Sequence, residues 1–324
     1  VYFTRRGIFR PDLNVKRFFT MAPSPRIASP ELQQAMDDCR EKINKTLGSL
    51  LPESDLAEAP LFDAMRYGTL NGGKRLRPFL VMQSAKLFGV DEFRARRVGA
   101  AIELVHSYSL IHDDLPAMDN ADKRRGKPSL HKAYSESTAI LAGDALLTMA
   151  FEVLSESDTH EDPRVRVELV REMASAAGPH GMVGGQMLDL IGEKESFDIG
   201  TISRLQRLKT GKLISFCCEA GAILGKANPA HRQALKNYAQ DLGLAFQVTD
   251  DLLDVEGDAE EMGKDVGKDT DAGKATFVTE LGISAARARA EMLSAQAKRH
   301  LRVFDNGRGN MLCDVADYVL ERRV

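Results

Sequence analysis

No stretch of the 324 residues alternates polar and apolar side chains long enough to make a strand, so helical periodicity dominates and the expected fold class is all-α. The four cysteines, Cys39, Cys217, Cys218 and Cys313, lack the CxxC spacing of a zinc or redox site, and the adjacent pair is poorly placed to bridge within a helix. They read as buried thiols of a reducing cytoplasm. No apolar run approaches the roughly 18 residues that span a bilayer, which argues against stable membrane insertion. With 44 Lys and Arg against 47 Asp and Glu, the net charge of -3 gives no bulk attraction to nucleic acid or to an anionic membrane. Any anion site must therefore be local. Neither an internal repeat nor a linker rich in Pro, Ser or Gly divides the middle, so residues 29–324 are expected to form one domain.

Residues 1–28 stand apart. Up to Arg26 they carry five Arg and one Lys against a single Asp, a composition that fits either a transit-type targeting segment or residues upstream of a true start at Met21. Both readings place this extension outside the fold.

What the chain does have is acid in apolar surroundings. In HSYSLIHDDLPAMDNADKRRG, His106 to Gly126, an apolar helical face traced by Val98, Ala101, Ile102, Val105, Tyr108 and Ile111 ends at Asp113 and Asp114. Carboxylates there must be paired or hold a metal, because desolvating a lone charge costs several kcal/mol or more. Pro116 should stop or kink the helix. On an unbroken helix Asp113 and Asp119 would point about 120° apart, so a break is needed to bring both to one site. Asp122, Arg124 and Arg125 follow, crowding acids and guanidinium groups into one segment. A second cluster, Asp250, Asp251 and Asp254, sits in LGLAFQVTDDLLDV, its first and last members on one helical face. Oxygen ligands without clustered His or Cys favour Mg²⁺, with Mn²⁺ as the alternative. Two such faces together would clamp a polyphosphate.

Five further motifs accompany these: GGKRLRP (Gly72 to Pro78), LAGDALL (Leu141 to Leu147), GGQMLDL (Gly184 to Leu190), KTGKLI (Lys209 to Ile214) and GKDVGKDTDAGKAT (Gly263 to Thr276). In this order and spacing, from about residue 30 to the C-terminus, the chain resembles the trans-isoprenyl diphosphate synthases, and most closely the bacterial farnesyl diphosphate synthases.

The resemblance implies a helical bundle of the isoprenoid synthase type around a central cavity, acting as a homodimer on isopentenyl diphosphate and allylic diphosphates. It implies metal ligation by Asp113, Asp114, Asp119, Asp250, Asp251 and Asp254, with three Mg²⁺ ions when substrate is bound. Lys74, Arg77 and His106 match contacts to the diphosphate of isopentenyl diphosphate, with Arg125 beside them. Arg124, Lys209, Thr210, Gln247, Lys264 and Lys274 fall to the allylic side. Alone, a basic cluster such as Lys74, Arg75 and Arg77 at a glycine-rich helix start reads as a solvated helix end, and a lone His106 as core. Two departures stand out: Thr249 where Gln is usual, and Asn120-Ala121 where the acidic run usually continues.

Tyr108 lies five residues before Asp113, one and a half turns deeper on roughly the same side, where a ring would stop growth at a C15 product. Asp144 reads equally as a buried, hydrogen-bonded group or a functional one, and Gln186 and Asp189 as pocket lining or cross-helix partners. The expected activity is head-to-tail prenyl transfer giving farnesyl diphosphate, with geranylgeranyl diphosphate synthesis as the near alternative. A terpene cyclase and a non-catalytic partner subunit are more distant; the first has no isopentenyl diphosphate to hold, and the second would be expected to lose aspartates.

Overall fold

The computed structural model describes residues 29–256, 276–304 and 307–321. Among these, the all-α expectation holds, and the strands amount to one hairpin of two-residue strands. The N-terminal extension, the segment carrying Lys264 and Lys274, and the terminal Arg322-Arg323 lie outside the described residues.

Helix α1, Pro30–Leu50, starts where the sequence places it: the Ser29 side chain accepts from Leu32 N, and Pro30 opens the first turn. That cap is worth about 1 kcal/mol. Its stripe of Leu32, Met36, Cys39, Ile43 and Leu47 is buried. Helix α2, Ala59–Leu70, runs past Gly68, which the sequence suggests as a terminator. Gly68 serves close approach instead, since a Cβ there would lie 2.6 Å from Ile111 Cδ1. Helix α3 covers Leu76–Lys86, beginning two residues before Pro78.

Helix α4, Glu92–Asp113, is capped by the Asp91 carboxylate and is the centre of the bundle. It packs against α1, α2, α3 and two later helices, and it is buried nearly all round, with Val98, Ala101, Ile102, Val105, Tyr108 and Ile111 inside. A helix covered on every side loses the one-faced pattern that marks a surface helix.

Beyond α4 the hairpin β1 (Lys123–Arg124) and β2 (Lys127–Pro128) leads through the short α5, Leu130–Ala133, to α6, Glu136–Ser155. This 20-residue helix corrects one expectation: by length and mean hydropathy, 1.5 over its 18-residue window, it is apolar enough to cross a membrane. Its polar residues are scattered through the run, so no uninterrupted apolar stretch announces it. One side packs on α4 and α2, and Gly143 admits His112 where a Cβ would lie 2.1 Å from Nε2. Asp144 is exposed, not buried.

Next come α7 (Pro163–Ala177), α8 (Met182–Gly192) and α9 (Ile199–Gln206). The sequence from Leu205 to Leu224 reads as one helix, but a π-helical turn, Arg207–Gly211, breaks it before α10, Lys212–Leu224. The turn presses against α8, where a Cβ on Gly185 would fall 2.1 Å from Lys209 N. Such π-turns are frequent at functional sites. Helix α11, Pro229–Glu256, is the longest described and packs on α10. It also packs on α12 (Phe277–Leu281), α13 (Ile283–His300) and α14 (Asn310–Glu321).

Candidate active site

The chain turns sharply where α4 ends. Asp119 N donates to Asp113 O (2.9 Å), Asn120 N to Leu115 O (3.0 Å) and Ala121 N to Asp114 O (3.2 Å). Asn120 takes a φ of 46°, a left-handed conformation that Asn tolerates better than most residues, which gives its departure from the acidic run a local reason. The break expected at Pro116 is therefore present. Asp113 is partly buried, Asp114 buried and Asp119 exposed. Burial pushes the Asp113 carboxyl up to about 6; Lys209 and Arg124 oppose that rise, and Asp119 and Asp114 add to it.

The hairpin turn, Arg125-Gly126, has φ of 53° and 77°, the pattern of a type I′ turn. It is tied to the end of α2 by Tyr67 Oη donating to Pro128 O (2.8 Å) and Lys127 Nζ to Asn71 Oδ1 (2.7 Å). So held, it sends its two arginines to different places. Arg124 Nη2 reaches Asp114 Oδ1 at 2.5 Å, with Nε at 3.1 and 3.2 Å from the two oxygens. Arg125 Nη1 donates to Gly72 O at 2.6 Å.

Gly72 belongs to the GGKRLRP turn, whose Gly72, Gly73 and Arg75 have φ of 86°, 109° and 54°. Below it lies a cavity of about 130 Å³, lined by Lys74, Arg77, His106 and Arg125 together with Ile214, Phe246 and Tyr318, so that α3, α4, the hairpin, α10, α11 and α14 all meet there. Arg77 Nη1 is 3.2 Å from His106 Nε2. Burial, then Arg77, Arg125 and Arg75, hold the imidazole well below its usual range, so it is neutral. Because arginine only donates, Nε2 is the acceptor and the proton sits on Nδ1. Arg77 Nε is buried without a protein partner, a donor that an anion would satisfy.

Lys209 projects from the π-turn to Asp189 of α8, Nζ to Oδ2 2.6 Å, which settles Asp189 as a cross-helix partner. Thr210 Oγ1 donates to Gln247 Oε1 (3.3 Å), Gln247 Nε2 to Asp251 Oδ1 (3.2 Å), and Phe277 N to Asp251 Oδ2 (2.9 Å). This relay joins the π-turn to the second aspartate motif and to α12. Asp251 and Asp254 are buried and Asp250 partly so.

Among the described residues, no three His, Cys, Asp or Glu side chains form a ready-made metal cage. Sequence reasoning missed Glu103, whose Oε1 lies 2.5 Å from Arg75 Nη1 in a pair with side chains 3% and 0% exposed. Its signal was available: a lone acid in the apolar run AAIELV. Removing one member of such a pair costs about 3–5 kcal/mol.

A polyprenyl synthetase family model matches residues 58–303. The farnesyl diphosphate synthase of Escherichia coli (strain K12) is 42% identical over 298 residues, 90% of this chain and 99% of that protein. That of Geobacillus stearothermophilus is 41% identical over 280 residues, 86% of this chain and 94% of the relative. The crystal structure of an apo FPP/GFPP synthase from Zymomonas mobilis superposes with a TM-score of 0.82 at 48% identity, covering 90% of this chain and 99% of that one. The chain belongs to the polyprenyl synthetase family. It is a prenyltransferase of that family.

Proposed function

We propose that the protein is a farnesyl diphosphate synthase, joining isopentenyl diphosphate head to tail with dimethylallyl and then geranyl diphosphate. The observation that carries this reading is a cationic pocket, Lys74, Arg77, His106 and Arg125, distinct from the carboxylates at the end of α4. One diphosphate fits the pocket and another the aspartate side, which is what a two-substrate condensation requires. The catalytic unit on this reading runs from residue 29 to the C-terminus.

In the reaction, the allylic C–O bond breaks with its electron pair going to diphosphate. The resulting cation is attacked by the double bond of isopentenyl diphosphate, and a proton leaves the adduct. Lys209 and Arg124 would exchange Asp189 and Asp114 for diphosphate oxygens, neutralising charge that grows as the bond breaks. Thr210 and Gln247 hold the π-turn beside them. Lys264 and Lys274, outside the described residues, are assigned to the same diphosphate. Hard carboxylate oxygens suit a divalent cation, Mg²⁺ or Mn²⁺; Asp113, Asp114, Asp119, Asp250, Asp251 and Asp254 would hold it as up to three ions, supplying positive charge against the leaving group. Arg77 and Arg125 bind the second diphosphate by charge-assisted hydrogen bonds, with neutral His106 fixing Arg77. Ile214 and Phe246 give the isopentenyl diphosphate pocket an apolar wall that helps to keep water out. The departing diphosphate takes the proton, so no protein base is assigned.

Tyr108, 7% exposed, packs edge-on against His112 with centroids 5.6 Å apart, and burial and then Asp113 raise its phenol. Both facts support a floor beneath the first aspartates. With Mg²⁺, isopentenyl and dimethylallyl diphosphates, mass spectrometry of the dephosphorylated product should show C15, and Tyr108→Ala should lengthen it. A C20 product from the native chain would sink the floor argument and favour the geranylgeranyl alternative; longer products are a relevant comparison because the Zymomonas relative is an FPP/GFPP synthase.

Free cysteines support a reducing, cytoplasmic setting. A homodimer is supported by α6, whose outer face leaves Ile140 and Leu141 44% and 56% exposed. Light scattering should give twice the chain mass, and Leu141→Glu should shift it towards one; an unchanged dimer would place the interface elsewhere.

A further inference from the structure

The cations at the head of α3 are not equivalent. Lys74 is exposed and Arg77 partly buried, and both line the cavity, as do Arg75 and Glu103 at its inner wall. Arg75, between them, turns inward until its side chain is fully covered. There its guanidinium donates to Asn44 Oδ1 of α1 (2.9 Å), Glu103 Oε1 of α4 (2.5 Å) and the Thr69 carbonyl in the last turn of α2 (2.7 Å). Its φ of 54° is a conformation that side chains other than Gly, Asn and Asp adopt rarely and only when surroundings enforce it. Three acceptors on three helices supply that enforcement.

The consequence reaches the cavity through the backbone. Fixing Arg75 fixes Gly72, Gly73 and Lys74 before it and the first turn of α3, with Arg77, after it. The same turn is the dock for Arg125, which donates to Gly72 O and lies so close that a Cβ on Gly73 would be 2.8 Å from its guanidinium carbon. Glu103 balances the Arg75 charge in place, so that although both line the cavity its unbalanced positive charge comes from Lys74, Arg77 and Arg125.

We propose that Arg75, clamped by Glu103, Asn44 and the Thr69 carbonyl, is a positioning residue that sets the turn on which Lys74, Arg77 and Arg125 converge for one diphosphate. It acts through the backbone, its guanidinium being covered and held by protein acceptors. This rests on the assignment of the cavity to isopentenyl diphosphate.

Arg75→Lys keeps the charge but loses the three-way fork. The KM for isopentenyl diphosphate should rise about tenfold, as expected for losing hydrogen bonds to charged groups, while the allylic KM and kcat at saturation stay within about twofold. Asn44→Ala, which leaves the Glu103 contact in place and keeps the test usable should Arg75→Lys fold poorly, should give the same split at about threefold. Equal changes in both KM values, or a lower Tm with neither KM altered, would mean a purely structural role and overturn the proposal. Arg77→Ala separates the two layers: if it leaves the KM for isopentenyl diphosphate unchanged, the assignment of the cavity itself falls. If Arg77→Ala raises that KM and neither Arg75→Lys nor Asn44→Ala does, only the positioning role falls.

Discussion

The cationic pocket and the aspartate ends solve the same problem, like charges held close together, in opposite ways. At the pocket, Arg75 is neutralised internally by Glu103, and His106 stays uncharged, so the remaining cations sit on fixed backbone before any anion arrives. At the end of α4, Asp114 is engaged by Arg124, Asp119 faces solvent, and Asp113 is left with its carboxyl pushed up to about 6, chiefly by burial. A cationic site can be preformed when a buried acid offsets part of its charge. The carboxylates have no fully buried counterweight of that kind: Asp114 pairs with the partly exposed Arg124, and Asp113 is opposed only by the fields of Lys209 and Arg124.

Removing the charge at the acidic end should have the largest effect. Asp113→Asn should lower kcat on the order of a thousandfold, the scale of losing one electrostatic stabiliser of a leaving group. Steady-state rates at saturating Mg²⁺ would measure it, and a loss below tenfold would break the contrast by showing the acidic end dispensable. The tenfold effect of Arg75→Lys on one KM lies between the extremes and tests the preformed side. The smallest effect is with pH. Because the His106 imidazole is held well below its usual value, first by burial and then by Arg77, it should not gain a proton in the folded enzyme as pH falls from 8 to 6. The KM for isopentenyl diphosphate should vary less than about twofold over that range, a bound that a protonating histidine would break by adding charge at the pocket. Stability should respond where binding does not. The unfolded chain protonates this histidine near 6.5 and the native one only lower, so stability is fully present above 6.5 and declines as pH drops below it. A pH series of Tm values for native and His106→Asn proteins isolates the contribution, and identical slopes would refute it.

Much of the acidic end was legible in the sequence. Asp113 and Asp114 stand out because an acid closing an apolar helical face has no structural excuse, and Pro116 marks the stop that follows. The α1 stripe and its Ser29-Pro30 start were equally plain, since cap and periodicity are local. The pocket's internal organisation was not. Lys74, Arg75 and Arg77 look alike in sequence, and only acceptors on three other helices, Asn44, Glu103 and the Thr69 carbonyl, draw Arg75 inward. Gly68 read as a terminator because glycine more often ends helices, whereas here the approach of Ile111 requires it mid-helix. The π-turn at Lys209 was not legible in the sequence, because what accompanies it is a tertiary contact, the close approach of Gly185 on α8 to its backbone.

The sequence by itself therefore determined the helical class, the capped ends, the break after α4 and which residue types could hold a metal and diphosphates. These follow from backbone sterics and from the cost of burying charge, both properties of short segments. Tertiary structure alone decided which cation stays exposed and which is buried in an ion pair, that Asp189 holds Lys209, and that the Thr210, Gln247 and Asp251 relay joins the π-turn, α11 and α12. Those outcomes depend on partners brought together by packing. The energy of a buried ion pair or hydrogen bond exists only once distant helices have excluded water from around it.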